Sequence, residues 1–590
     1  MAELRGDGGP LPAIPDHLTI PQFLFDSHHP SRPVLKSPQP WLIEELTGRE
    51  LGSDELRART FGLANSLKIR WNIGEDDVGP SISPYLVCIF GPNHIDYPVA
   101  IWASLRLGAI VSGANPAYTA DELLYQLTTT KARLLIAHPV SLPVALEAAR
   151  LAGLSQENVV IFDAMPGIPH ANIQDLIALG LEHTQQFVER RLKPGEGKRK
   201  LAFLSFSSGT TGRPKAVMIP HHSVIANAVQ MAHWTQAKDE SKPREFQRYK
   251  AGGRGLAVLP FYHIYGLLII LHFHLFIGHT LVVAEKFSFE RFLDDIQRYG
   301  ITNLCVVPPM AVLLCKHPAV KNYDLSSVRM LMSAAAPLSA ELTNRLSELF
   351  PNAWIGQAYD RRLGSLGSGG VLLPGCTARV VKPDGSLAKL GETGELIVSS
   401  PSIALGYLNN REATAETFKD GWVVTGDEVY FNERKEIFVV DRIKELIKVR
   451  GFQVPPAELE GHLLDHPDVG DVCVVGMPDE YSGELPLAFV VPSSDAQARM
   501  KADPAAAATI RAAIMKVRTV ISTSVRCMAE RGREQHVADH KTRYKHLAGV
   551  EFVEAIPKNP SGKLLRRVLR NRAKALHKRG ELVLKTRAKL

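Results

Sequence analysis

The run Ser207-Ser208-Gly209-Thr210-Thr211-Gly212-Arg213-Pro214-Lys215 concentrates groups suited to one task. Gly209 and Gly212 permit positive φ and close backbone approach, so several N–H groups can converge on one point. Four hydroxyls and Lys215 add donors without bulk. Such a loop can grip phosphate oxygens. Its order is not that of a Walker A loop, which needs Gly-x4-Gly-Lys-Ser/Thr running straight into a helix. Here Lys215 stands three residues after Gly212, Pro214 intervenes, and residues 216–220 read as strand. An apolar strand over 201–206 leads in. The bland alternative is a Gly/Ser/Thr surface hairpin, which has no use for so many donors.

Other stretches carry chemistry more weakly. His263 stands in Leu259-Pro260-Phe261-Tyr262-His263-Ile264-Tyr265-Gly266, among apolar neighbours, where a satisfied core histidine is the commoner outcome. Ser333-Ala334-Ala335-Ala336-Pro337-Leu338 is a run of small residues. Asp427, in Thr425-Gly426-Asp427, offers a carboxylate that can accept two hydrogen bonds at once. Asp441-Arg442 by itself is an ordinary surface pair, and Pro560-Ser561-Gly562-Lys563 an ordinary solvated turn.

Taken together, these stretches resemble the adenylate-forming superfamily of acyl-CoA synthetases, luciferases and peptide-synthetase adenylation domains. The resemblance covers the chain from about residue 40 to 580. It implies that Ser207, Ser208, Gly209, Thr210, Thr211, Gly212 and Lys215 hold the phosphates of ATP, with Thr210 towards Mg²⁺. His263 would border the carboxylate end of the substrate, with Tyr265 and Gly266 in the acyl-pocket wall and Ser333 and Gly356 on the substrate side. Ala334 and Ala335 would let adenine lie flat, Ala334 replacing a usual Gly, and Gln357 and Tyr359 would face the nucleotide. Asp427 would hold both ribose hydroxyls and Arg442 the ribose side. Lys444 matches the hinge, Lys448, Gly451 and Gln453 the face used in thioester formation, and Lys563 the catalytic lysine. Gly394-Glu395-Leu396 matches a structural motif near the end of the large domain.

The implied reaction has two halves. A carboxylate attacks the α-phosphorus of Mg-ATP to give acyl-AMP and pyrophosphate, with Lys563 easing the developing charge. The small domain then turns about Lys444, and coenzyme A attacks the acyl-adenylate. The branch most resembled is that of 4-coumarate–CoA ligases and peroxisomal acyl-CoA synthetases. Two rivals stand beside it: a non-catalytic relative that binds nucleotide or acyl groups, and a free-standing adenylation enzyme that loads a carrier protein.

The pattern breaks twice. After Gly356-Gln357-Ala358-Tyr359, relatives continue into Gly-(Met/Leu)-Thr-Glu, whose Thr contacts the α-phosphate and whose Glu helps hold Mg²⁺. This chain reads Asp360-Arg361-Arg362-Leu363 instead, roughly fifteen residues short of what the fold needs. Asp360 offers a carboxylate, but a shortened segment does not place it correctly. Residues 517–535 form a foreign insertion, without periodicity or caps. A lost exon piece and a retained intron would account for both breaks, and sequencing the transcript decides it.

The elements that must position these groups alternate. Strands are expected over 85–90, 109–112, 134–137, 159–162 and 304–307, an amphipathic helix over 95–107, and a helix over 289–298 ended by Gly300. The alternation predicts an α/β fold with a parallel or mixed sheet covered by helices. Two strands over 428–431 and 437–440 form a hairpin around 432–436, and residues 238–253 a surface loop. We expect a large multi-layer α/β domain over 1–442 and a smaller, mobile α+β domain over 443–590, the adenylate-forming enzyme fold.

Composition agrees with an ordinary globular enzyme: 590 residues, 45% hydrophobic, 22% charged and a net charge of +8. From Lys563 to Leu590 there are eleven Lys/Arg against one acidic residue, which reads as a solvated basic helix and tail rather than a nucleic-acid site. The six cysteines show no metal spacing and suit buried thiols in a reducing compartment. Residues 1–15 lack the apolar core of a signal peptide. The apolar stretch 266–284 holds three histidines and Gly278, and reads as a buried helix followed by strand 280–283 rather than a membrane span. Ala588-Lys589-Leu590 at the end of the chain is a conservative variant of the Ser-Lys-Leu peroxisomal address, so an import receptor is the expected partner and the peroxisome the expected location, with the cytoplasm as the alternative.

Overall fold

The computed structural model describes residues 3–74, 85–207, 214–238, 248–334, 338, 340–357, 367–449, 452–479, 482–503, 505–515, 546–558 and 564–582. Continuous apolar runs such as Leu86–Phe90 and Leu134–Ala137 are buried along their whole length, as strands covered on both faces must be. They form a sheet in which Leu86–Phe90 lies between Ile110–Ala114 and Leu134–Ala137, all parallel. Val159–Ile161 extends one edge, and Leu201–Ser207 followed by antiparallel Lys215–Pro220 the other.

A second sheet is also mostly parallel. Arg254–Ala257 sits between Thr280–Val283 and Asn303–Val306. Met330–Ser333 and Trp354–Gln357 continue beyond the latter, and Leu42–Glu44 with antiparallel Glu50–Leu51 beyond the former. One hydrophobic core joins the two sheets, running from Val87, Ile89 and Phe203 to Leu256, Leu304 and Val306.

The helix Tyr97–Arg106, expected to be amphipathic, is buried on every side. It lies inside that shared core, where Trp102 packs edge-on to Phe25 and donates its indole N–H to His272 at 3.3 Å. Residues 266–278 form the expected buried helix as a π-helical stretch, Gly266–Phe273, and a short α-helical turn, His274–Phe276. Gly278 ends it at φ +77° and strand Thr280–Val283 follows. Among the described residues no helix is long and apolar enough to cross a membrane.

A third, antiparallel sheet carries Thr377–Val381, Gly394–Ser399, Trp422–Phe431 and Ile437–Arg442. The expected hairpin is there, with Lys435 at φ +58° in its turn. The C-terminal part holds a fourth sheet in which Ile447–Val449, Phe452–Val454, Val469–Asp479 and Gly483–Pro492 run antiparallel and Gly549–Phe552 joins parallel. It has apolar clusters of its own on its two faces, around Val474 and around Phe489.

Two further expectations need correction. Of the loop expected over 238–253, residues 239–247 lie outside the described residues, but Tyr249 is buried, its ring 5.1 Å from that of Phe273. The basic C-terminal helix Arg566–Lys578 is solvated on one face only. Leu569 and Ala573 are buried, and the Arg566 guanidinium is taken up by Glu445 and Glu460. The thiols of Cys88, Cys305 and Cys473 are buried, and burial pushes the first two up to about 12; Cys527 and the insertion lie outside the described residues.

Candidate active site

In an open parallel sheet, ligands collect beyond the carboxyl ends of the strands, where the winding direction reverses. In the second sheet the chain passes from Arg254–Ala257 to one neighbour, Thr280–Val283, then crosses to the other, Asn303–Val306. The reversal puts the expected ligand position beyond Ala257 and Val306. The segment carrying His263 leaves from this point.

One side chain fixes that segment to the first sheet. Asn93, just past Phe90, donates from Nδ2 to the carbonyls of Ala257 at 3.0 Å and Leu259 at 3.1 Å, and its Oδ1 accepts from Phe261 N–H at 2.8 Å. A single buried amide thus joins the carboxyl edges of both sheets. Beyond it the chain turns tightly: His263 N–H donates to Pro260 O at 3.1 Å, and its Nδ1 accepts from Tyr265 N–H at 3.3 Å. The ring is half-buried. Gly266 is required by packing, since a Cβ there would lie 2.1 Å from Pro260 O.

Tyr265 ties the turn to the next strand. Its phenol donates to Met332 O at 2.8 Å, and burial holds the hydroxyl well above its ordinary pKa, so it stays a neutral donor. With the hydroxyl committed, only ring surface is left for a pocket wall. On the parallel strands beyond, Met332 lies in register with Gly356 and Ser333 with Gln357. The Ser333 hydroxyl is fully buried and has no partner among the described residues, an open donor at the strand end. Ala334 N–H is used by Val306 O at 3.2 Å.

The Gln357 amide, expected at the nucleotide, is committed to backbone. Oε1 accepts from Leu338 N–H at 2.9 Å, and Nε2 donates to Ser368 O at 3.2 Å. Ser368 continues the path, its hydroxyl donating to Ile437 O at 3.3 Å. Gln357 and Ser368 therefore link the edge of the parallel sheet to the hairpin that carries Asp427 and Arg442.

Those two are cross-strand partners. Arg442 Nε lies 2.6 Å from Asp427 Oδ1, and its Nη1 donates to Thr425 O at 3.2 Å. Gly426, at φ +73°, lets the strand kink there, while Thr425 Oγ1 accepts Asp427 N–H at 3.1 Å. A carboxylate held in place by a guanidinium is oriented to accept hydroxyl donors.

At the phosphate-loop candidate, Ser207 and Lys215 face each other as the last register pair of an antiparallel hairpin. The strand following Lys215 separates this arrangement from a Walker A loop. Residues 405–408 bond along that strand through Gly406 O and Leu408 N–H, and the Lys215 ammonium sits 5.2 Å from the Tyr407 ring centroid. Lys444 is exposed in the turn after Arg442, and exposed Lys448 pairs in register with Gln453. Ser208, Gly209, Thr210, Thr211, Gly212, Ala335, Tyr359, Asp360, Gly451 and Lys563 lie outside the described residues.

Among the described residues, no group of three or more His, Cys, Asp or Glu could hold a metal. These residues therefore do not make a protein cage of the kind that holds a resident Mg²⁺. Sequence reading passed over Asn93, Tyr407 and Ser368. Asn93 is a single polar residue whose partners lie more than 160 positions away, and Ser368 reaches 69 positions on to Ile437, so no local pattern marks either role.

Residues 27–408 match the model of the AMP-binding enzyme family, and residues 458–563 that of the AMP-binding enzyme C-terminal domain. Among similar curated proteins, "4-coumarate-CoA ligase 1" of Narcissus pseudonarcissus is 31% identical over 95% of both chains. "Probable 4-coumarate--CoA ligase 1" of Dictyostelium discoideum is 33% identical over 94% of this chain and 95% of its own. The fold matches the anthranilate CoA ligase AuaEII in complex with anthranoyl-AMP at TM-score 0.76 and 22% identity, covering 96% of this chain and 99% of that one. It also matches ATP-bound MatB from Rhodopseudomonas palustris at 0.74 and 24%, covering 95% of this chain and 100% of that one. The chain belongs to the AMP-binding enzyme family and has the adenylate-forming fold.

Proposed function

We propose that the chain is an ATP-dependent carboxylate–CoA ligase that works through an acyl-adenylate. The observation that carries this reading is similarity, end to end, to proteins named 4-coumarate–CoA ligase. In the first half-reaction a substrate carboxylate oxygen bonds to the α-phosphorus of ATP and pyrophosphate leaves. In the second, the coenzyme A thiolate attacks the acyl carbonyl and AMP leaves. The hydroxyls and N–H groups between Ser207 and Lys215 hold the phosphates, Asp427 with Arg442 behind it takes the ribose hydroxyls, and the ligand position beside His263 and Tyr265 takes the acid. Lys563 is the lysine brought to the reacting phosphate, and the turn at Lys444 lets residues 443–590 move.

The test is acid-dependent ATP–pyrophosphate exchange with aryl-propenoates, phenylacetate-like acids and medium-chain fatty acids, followed by hydroxylamine trapping with and without coenzyme A. Exchange plus a CoA thioester supports the ligase. Exchange without thioester favours an enzyme that loads a carrier protein. Background exchange with every acid favours a binding relative, the reading that the missing Thr-Glu step after Tyr359 supports. Peroxisomal import through Ala588-Lys589-Leu590 is part of the proposal; a fluorescent fusion that stays diffuse when these residues end the chain counts against it.

A further inference from the structure

The helix Pro456–Leu464 is the first helix of the C-terminal part, and both of its ends are held by residues from outside that part. At its start, Ala457 N–H donates to Asp441 Oδ2 at 3.1 Å, on the strand just before the Lys444 turn. At its finish, the Lys316 ammonium donates to Leu464 O at 2.6 Å and to Val469 O at 3.2 Å, closing both ends of the short turn into the next strand. Arg345 adds a looser contact, 3.6 Å from Asp465. An acid at the N-terminus and a base at the C-terminus match the sign of the helix dipole, and the last carbonyls of a helix otherwise lack partners.

The two grips differ in what a rotation would do to them. Asp441 is close to the turn and moves little. Lys316 is remote in sequence from residues 443–590, and any turn about Lys444 must break its bonds. Glu445, just past the turn, is bound instead to Arg566 of the C-terminal helix and would travel with it. Burial lowers the Lys316 pKa from its ordinary value, while Asp465 and Asp471 nearby act against that, as expected of a seated ammonium rather than a free surface one.

Lys316 also ends a helix, Pro308–Lys316, whose first turn begins immediately past strand Asn303–Val306, at the winding reversal described above. One rigid element therefore has its N-terminus at the candidate active site and its C-terminal ammonium on the small part.

We infer that Lys316 is a positioning residue: seated on the Leu464 and Val469 carbonyls, it holds the small C-terminal part in one orientation and so sets the balance between the two half-reactions. The inference rests on the two-step ligase reading for its effect on rates, but not for its effect on structure.

The test uses the full chain with Lys316→Met, which keeps the length of the side chain and removes the donors, and Lys316→Arg as the conservative variant. Lys316 is exposed, so neither change threatens folding. Amide hydrogen exchange of residues 456–469 is read by mass spectrometry. The two half-reactions are read separately, as ATP–pyrophosphate exchange with 4-coumarate and as transfer from prepared 4-coumaroyl-AMP to coenzyme A. Lys316→Met should raise exchange in 456–469 and shift the ratio of the two rates by about tenfold, the scale of hydrogen bonds from a charged donor, with Lys316→Arg recovering part of both. Unchanged exchange in 456–469, or a rate ratio within about twofold of the parent's, overturns the inference. If the parent performs neither half-reaction, the ligase reading fails and exchange alone decides the role of Lys316.

Discussion

Replacing Asn93 by Ala should loosen the turn that carries His263 far more than it disturbs the rest of the molecule. The amide makes three bonds to backbone, and all three lie in the core. Ala257 O keeps a second donor, Ala284 N–H at 3.2 Å, so its loss is small. Phe261 is 1% exposed, and its N–H would be left with neither protein partner nor ready access to water. An orphaned buried donor costs about 1–3 kcal/mol and each lost neutral bond about 1 kcal/mol, so local stability should fall by about 3 kcal/mol. At about 1.4 kcal/mol per decade, that is about a hundredfold faster amide exchange over residues 257–266. Exchange suits this chain better than a global melt, because a multidomain protein has no single unfolding free energy. Under the proposed function, a turn displaced by an ångström should also lower kcat by about a hundredfold, with little change in the KM for ATP. Asn93→Asp should be worse than Ala, since it replaces the donor with a carboxylate oxygen facing two carbonyl oxygens and buries a charge. Exchange in 257–266 within about threefold of the parent's would refute the staple.

Acid should weaken the fold through histidines buried neutral. Burial lowers His221 to about 3 and His272 and His279 to about 4, so the unfolded chain binds more protons between pH 4 and 6.5 and stability falls as pH drops through that window. Each should cost about 2 kcal/mol by pH 5, with Asp295, raised to about 7 chiefly by burial, acting in the opposite sense. A thermal midpoint that stays level from pH 7 to 5, with no difference between parent and His279→Gln, would contradict this. Asp427→Ala removes a partly exposed ion pair and should move the melting midpoint little while raising the KM for ATP about tenfold or more; an unaltered KM would remove Asp427 from the ribose site. Gly266→Ala forces a methyl to within 2.1 Å of a backbone carbonyl, so soluble yield or melting midpoint should drop sharply, and a well-folded variant would show that the Pro260 turn can yield.

Local chemistry made the strands and the hairpin readable, because their signals lie in consecutive residues. Leu134–Ala137 and Thr280–Val283 fall where their apolar runs fall, and Gly300 ends its helix at φ +58° as a residue without a side chain can. What escaped is what depends on partners far along the chain. The helix Tyr97–Arg106 looked half-solvated because nothing local says that a second sheet closes over it. Gln357 stands where a nucleotide contact was expected, yet its amide is spent on Leu338 and Ser368. Tyr265, expected in the pocket wall, gives its hydroxyl to Met332. In each case the sequence located the residue and the fold then reassigned its polar atoms to holding the site together. Arg566 makes the same point in reverse: counted as one more charge in a basic tail, it proves to be a buried anchor between two carboxylates, one of them next to the proposed hinge. A charged residue without a nearby opposite charge in sequence is therefore poor evidence of solvation. Burying a guanidinium is tolerable only where carboxylates meet it, and those carboxylates, Glu445 and Glu460, lie 121 and 106 positions away.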